Sequence, residues 1–181
     1  MAATTRYLGF SARLIAGLFV LAPGLGVSGY ASAADGHVAD PHYRPYRADA
    51  DPRKDLADAE QRAAQANHLV MVIFGANWCP DCLVLHKNLE QGATMEYAQQ
   101  HFEVVSVDVG ELNKNLKVAE DLGVTLKKGI PVAAILEGGK VIATTNRGEL
   151  ESSRHYSAQQ ILGFMQEIVD NRRVVFPAGE H

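Results

Sequence analysis

The stretch Leu69-Val70-Met71-Val72-Ile73-Phe74-Gly75-Ala76-Asn77-Trp78-Cys79-Pro80-Asp81-Cys82 joins a strand to a helix through a pair of cysteines. Its first six residues are a continuous apolar run with several β-branched side chains. That pattern suits a strand buried on both faces in a central sheet. Gly75 to Trp78 reads as a loop. Pro80 suits the first turn of a helix that continues through Leu83, Leu85 and Leu89. Cys79 then falls at the helix N-cap and Cys82 at the third helical position. Free backbone N–H groups and the positive end of the helix dipole meet there. Both favour a thiolate on Cys79, and the thiolate is the nucleophile. Cys82 is placed to attack a mixed disulfide formed at Cys79, which should be the more exposed sulfur. Pro80 lacks the N–H that would be unsatisfied at its position, and it stiffens the turn. These are the only two cysteines of the chain. Joined, they close too small a loop to constrain the unfolded state much, so the pair reads as a redox switch and not as a brace.

Upstream, Asp55 to Asn67 reads as a helix, with Leu56, Ala59, Ala63 and Ala66 at helical spacing. Downstream, Phe102 to Val107 is a second strand candidate, and Leu112 to Leu122 a helix closed by Gly123. Gly129-Ile130-Pro131 leads into a third strand, Val132 to Leu136. Gly138-Gly139 turns the chain back into Lys140 to Thr144 as a hairpin. A loop from Asn146 to Tyr156 follows. Ser157 and Gln160 form a capping-box pattern before a last helix whose Ile161, Leu162, Met165, Ile168 and Val169 share an apolar face. The predicted order is helix, strand, helix, strand, helix, hairpin, helix.

The chain has 181 residues, 47% of them hydrophobic and 21% charged, which suits one globular domain plus an export signal. With 17 Lys and Arg against 21 Asp and Glu it lacks the basic excess of a nucleic-acid binder. Arg6 and Arg13 precede an apolar stretch, Leu14 to Val27, broken by Pro23 and Gly24. The stretch is shorter than the ~20 residues that span a bilayer. Ala31-Ser32-Ala33 is a small-x-small cleavage pattern. Residues 1–33 therefore read as a signal peptide cut after Ala33 or Ala34, which places the protein in the periplasm or outside the cell. Residues 34–54 read as an irregular leader. His37 and His42 lie near Asp35 and Asp40 there, but the segment offers no rigid frame for a metal. Residues 55–181 form the predicted domain.

Over residues 55–171 the chain resembles the thioredoxin superfamily. The resemblance rests on the apolar strand ending at Phe74, on Trp78-Cys79-Pro80-Asp81-Cys82, on the Ile130-Pro131 step before a hairpin, and on the final amphipathic helix. It is similar above all to exported bacterial members. The resemblance implies an α/β thioredoxin-like fold, a central mixed sheet flanked by helices. It also implies a cis Ile130-Pro131 peptide facing the cysteines, where the Ile130 backbone pairs with substrate and Trp78 adds to the docking surface. Two departures stand out. Ile73 fills the place of a buried Asp that in cytosolic thioredoxins helps deprotonate the second cysteine. The intervening pair is Pro80-Asp81, and a carboxylate beside Cys79 disfavours its thiolate. A less stabilised thiolate makes a less oxidising couple, which favours a reductase or isomerase over an oxidase. Asp81 itself is expected to be exposed.

The function read from the sequence is thiol–disulfide exchange at Cys79 and Cys82, tuned by Pro80 and Asp81. It needs no cofactor or metal, acts as a monomer on protein or small thiol and disulfide substrates, and draws on a membrane thiol carrier for electrons. Two readings compete. His86 lies one turn after Cys82 and His155 in a later loop, which would suit a copper-handling protein of the same fold. A non-catalytic binding module with an inert disulfide is the other.

Overall fold

The computed structural model describes residues 42–174. The predicted signal peptide and the leader up to residue 41, His37 included, lie outside the described residues. Strand β1 (Leu69–Gly75) is buried along its whole length. It pairs in parallel with β2 (Phe102–Asp108) and antiparallel with β3 (Val132–Glu137), which pairs antiparallel with β4 (Lys140–Thr144). The sheet order is β2-β1-β3-β4. A strand with neighbours on both edges and cover on both faces has no solvent side, so β1 is apolar without alternation. Gly138 and Gly139 link β3 to β4 with φ of 55° and 74°. Both are left-handed, as a two-residue hairpin turn of the primed type requires.

The helices are α1 (Pro52–Ala66), α2 (Pro80–Leu89), α3 (Gly92–His101), α4 (Leu116–Asp121) and α5 (Ala158–Asn171), with a 3-10 turn at Ser153–His155. Among the described residues no helix is long and apolar enough to cross a membrane. The Ser157–Gln160 capping box forms at the start of α5, and Ile161, Phe164, Met165 and Ile168 bury its apolar face.

Three elements differ from the sequence expectation. First, α1 begins at Pro52, inside the predicted leader, because Asp51 caps it by accepting from the N–H groups of Arg53 and Lys54. Second, α3 has no counterpart in the predicted order. Its N-cap, Gln91, makes no side-chain capping bond, and it buries only Thr94 and Ala98, so it carries little periodic signal. Third, the predicted helix from Leu112 contracts to α4. Leu112 and Asn115 are left-handed, with φ of 60° and 55°. The Asn115 amide donates to the Asp108 carbonyl at 2.8 Å, which ties this turn to the end of β2.

The leader is also not wholly irregular. Tyr46 is fully buried in the core. Its N–H donates to Asn77 Oδ1 at 3.2 Å, and the Asn77 amide donates back to the Tyr46 carbonyl. Its phenol lies over Gly75 so closely that a Cβ there would stand 2.3 Å from Tyr46 Oη. The ring also meets His86 of α2 edge-on, with centroids 4.9 Å apart. His86 Nε2 lies 3.3 Å from Ser106 Oγ of β2. Burial lowers the pKa of the His86 imidazole from 6.5 to about 4.

Two expectations follow from this packing. Tyr46→Ala should cost about 3–5 kcal/mol, as other buried aromatic truncations do. Gly75→Ala should cost about 1–3 kcal/mol through overpacking. Denaturant unfolding at neutral pH measures both, and a loss below about 0.5 kcal/mol for Tyr46→Ala would show that the arm adds nothing to the core. The second expectation concerns pH. Between about pH 4 and pH 6.5 the unfolded chain binds a proton at His86 that the folded chain excludes. Stability contributed by neutral His86 should therefore be full above that window and fall as pH drops through it, by up to about 3 kcal/mol. Unfolding curves at neutral and mildly acidic pH should show the fall in the wild type and a flatter profile in His86→Leu. Equal profiles would reject the assignment.

Candidate active site

The end of β1 and the start of α2 are set by a short series of hydrogen bonds. Beyond Gly75 the chain leaves the sheet, and Val109 N–H donates to the Gly75 carbonyl at 2.9 Å. The Asn77 side chain holds the loop to the Tyr46 backbone. Cys79 N–H donates to the Ala76 carbonyl at 3.1 Å, closing a tight turn. Cys79 is the N-cap of α2, with extended backbone at φ −87° and ψ 112°. Its sulfur accepts the N–H of Cys82 at 3.2 Å, the bond that a capping side chain makes to the third helical position. Pro80 takes the first helical position. Cys79 and Cys82 form a disulfide with Cα atoms 5.3 Å apart. Cys79 is 3% and Cys82 0% exposed, so the expected contrast in exposure is small in this oxidised form.

The Ile130 carbonyl oxygen lies 3.5 Å from Cys79 Sγ. The Ile130-Pro131 peptide, just before β3, is cis. Trp78 is half-exposed beside the disulfide, and its indole N–H donates to the Gly110 carbonyl at 2.9 Å. That bond fixes the ring over the turn that follows β2. Ile73, the residue in place of an acid, is wholly buried in β1 and has no atom that can take a proton.

Asp81 corrects the sequence reading. It is buried, not exposed. Its Oδ1 accepts from the Arg154 backbone N–H at 2.9 Å and from Arg154 Nε at 3.1 Å. Its Oδ2 lies 2.9 Å from Arg154 Nη2. The carboxylate beside Cys79 is thus matched by a guanidinium from the 3-10 turn and is not free to relay protons through solvent. Arg154 was not among the predicted site residues. It lies 73 residues from Asp81 in a loop without periodicity, so no local pattern marks it. Tyr46 and Asn77 were missed for the same reason: each acts through the other across a gap of 31 residues.

The residues of the copper reading do not come together. Nε2 of His86 faces Ser106. Among the described residues no three His, Cys, Asp or Glu side chains are grouped as a metal ion would need.

The chemistry available is dithiol–disulfide exchange. When the pair is reduced, a thiolate on Cys79 would keep the Cys82 N–H and gain from the helix N-terminus, an effect worth about 0.3–1 kcal/mol and up to ~2 when partly buried. Cys82, one turn inside, is positioned to resolve an adduct at Cys79.

Comparison with known proteins agrees with this geometry. Residues 51–138 match the family model described as thioredoxin-like. The chain is 31% identical over 85 residues to the thioredoxin of Buchnera aphidicola subsp. Schizaphis graminum (strain Sg), a match covering 47% of this chain and 71% of that protein. Among solved structures, a disulphide isomerase from Xylella fastidiosa Temecula1 superimposes with a TM-score of 0.69 at 34% identity, covering 71% of this chain and 99% of that one. With a mixed sheet, a Cys-x-x-Cys pair capping the helix after the central strand, and relatives of this kind, the chain belongs to the thioredoxin-like family and is a thiol–disulfide oxidoreductase.

Proposed function

We propose that the protein reduces or isomerises disulfides of protein substrates in an exported compartment. The observation that carries this is Cys79 as the sulfur cap of α2, 3.5 Å from the carbonyl of Ile130. In reduction, the Cys79 thiolate attacks one sulfur of a substrate disulfide and the other leaves as a thiolate. Cys82 then loses its proton and attacks the Cys79 sulfur. The second substrate sulfur leaves, and Cys79–Cys82 is formed. Two electrons have passed from the enzyme to the substrate. In isomerisation a second substrate thiolate attacks the substrate sulfur of the mixed disulfide and releases Cys79 as a thiolate before Cys82 attacks, so no net electrons move. The likeness to a disulphide isomerase over nearly the whole of that chain supports a reducing or isomerising role.

In this reading the Ile130 backbone and the exposed face of Trp78 form the substrate groove, and Pro131 shapes it. Export rests on residues 1–33, with Arg6, Arg13, the apolar Leu14 to Val27 and Ala31-Ser32-Ala33. An exported reductase is cut off from cytosolic reductants, so a membrane thiol carrier is the electron donor this role requires.

One experiment tests the roles and the compartment together. Cys82→Ser, recovered from the exported fraction of the producing cell, should carry substrates in mixed disulfides on Cys79, at least tenfold more than Cys79→Ser carries on Cys82. After reduction its intact mass should lack residues 1–33. Adducts on Cys82 in preference to Cys79 would reverse the roles, and a mass that includes Met1 would reject cleavage.

A further inference from the structure

Asp81 presents a physical problem that the rest of the fold answers. It stands in the first turn of α2, two residues past the attacking cysteine, and its side chain is only 7% exposed. A carboxylate so placed competes with the Cys79 thiolate for the same helix N-terminus. Left unpaired, a buried charge costs several kcal/mol.

The partner comes from the 3-10 turn Ser153–His155, and it is held firmly. Ser153 Oγ donates to the Leu150 carbonyl. Tyr156 Oη donates to the Glu149 carbonyl at 3.1 Å. At the far end of α2, the Asn88 amide donates to the Tyr156 carbonyl at 3.1 Å. The loop therefore clasps α2 near both ends, through Asp81 and through Asn88. Arg154 meets the carboxylate with its backbone N–H and with two guanidinium nitrogens, while half of its own side chain stays in solvent. It is a fixed partner, unlike most surface arginines, whose ion pairs contribute little.

We propose that Arg154 is a positioning residue of the redox centre: by pairing with Asp81 it removes the charge that opposes the Cys79 thiolate, and so sets the reduction potential of the Cys79–Cys82 couple. Of the other ionisable groups around the site, His86 is silent and Asp108 is balanced, while Glu151 is the same in the wild type and in the variants below. His86 on the same helix is buried and neutral above about pH 4. Asp108, at the end of β2, pairs with Lys114 at 3.0 Å. Glu151 lies beside Gly129, on the loop that leads to Pro131. Loss of Arg154 leaves Asp81 as the new uncompensated charge. The stabilised reduced form of a couple is what makes it oxidising. Arg154 thus shifts the couple toward the oxidising side of what Cys79-Pro80-Asp81-Cys82 would have unaided.

The test uses the full chain with Arg154→Met, Asp81→Asn and the double variant. Two quantities are read: thiolate absorbance against pH in the reduced protein, and equilibrium with glutathione. Arg154→Met should raise the Cys79 pKa and make the couple at least tenfold more reducing, about 30 mV. Asp81→Asn should move both readouts the opposite way, because it uncovers the arginine. The double variant should return close to wild type. A role limited to holding the loop predicts lower melting temperatures with both readouts unmoved, or moved in the same direction by both single variants, and either result would overturn the proposal. If Arg154→Met fails to fold, Asp81→Asn decides alone, since its side-chain oxygen can still accept the Arg154 N–H. A couple no more oxidising than wild type would then overturn it. Both readouts need only the cysteine pair, so they stand apart from the substrate and the compartment.

Discussion

The first N–H groups of α2 have no carbonyl within the helix to meet, and the side chain that meets one of them is a sulfur. Cys79 accepts the N–H of Cys82, so the cap of the helix and the reactive atom of the site are the same group. Much of the surrounding structure keeps that cap in place. β1 is buried on both faces and delivers the chain to one point at the centre of the sheet. Tyr46 leaves room for nothing larger than glycine at the end of β1, and its backbone holds Asn77, two residues before the cysteine. The start of β3 lies against the same sulfur through the Ile130 carbonyl. A helix terminus lowers a thiol's pKa without introducing a full charge.

Charge is handled separately from position. The position at which the resemblance to cytosolic thioredoxins implies an acid is the buried Ile73, and Asp81, two residues after Cys79, is paired with Arg154. Around the start of α2 the described residues thus combine buried apolar packing, the helix N-terminus and the Asp81–Arg154 ion pair. His86 fits the same scheme, since it lies one turn after Cys82 and burial keeps it uncharged near neutral pH. In so low-dielectric a setting an unmatched charge would dominate the thiol chemistry.

Some of this was legible in the residues alone. Leu69 to Phe74 suits a strand with no wet face, and Pro80 after a cysteine suits the first turn of α2, where each is found. Gly138-Gly139 and the Ser157–Gln160 box are local devices, and each formed where its pattern stood. What the sequence hid is non-local or contrary to propensity. Asp81 looked exposed because charged residues usually are, and its partner lies on the far side of the domain sequence. Tyr46 lay in a stretch without periodicity, so nothing marked it as core. α3 buries too little to show a periodic face. α4 looked longer because Leu112 and Asn115 are not residues that announce a left-handed backbone.

The reduction potential of the wild-type Cys79–Cys82 couple, measured by equilibration with glutathione, tests the central claim most directly. A couple capped by a helix N-terminus, with its neighbouring carboxylate balanced, should fall between the values of thioredoxin, about −270 mV, and protein disulfide isomerase, about −180 mV. A value near −120 mV, that of a strong oxidant, would contradict the account.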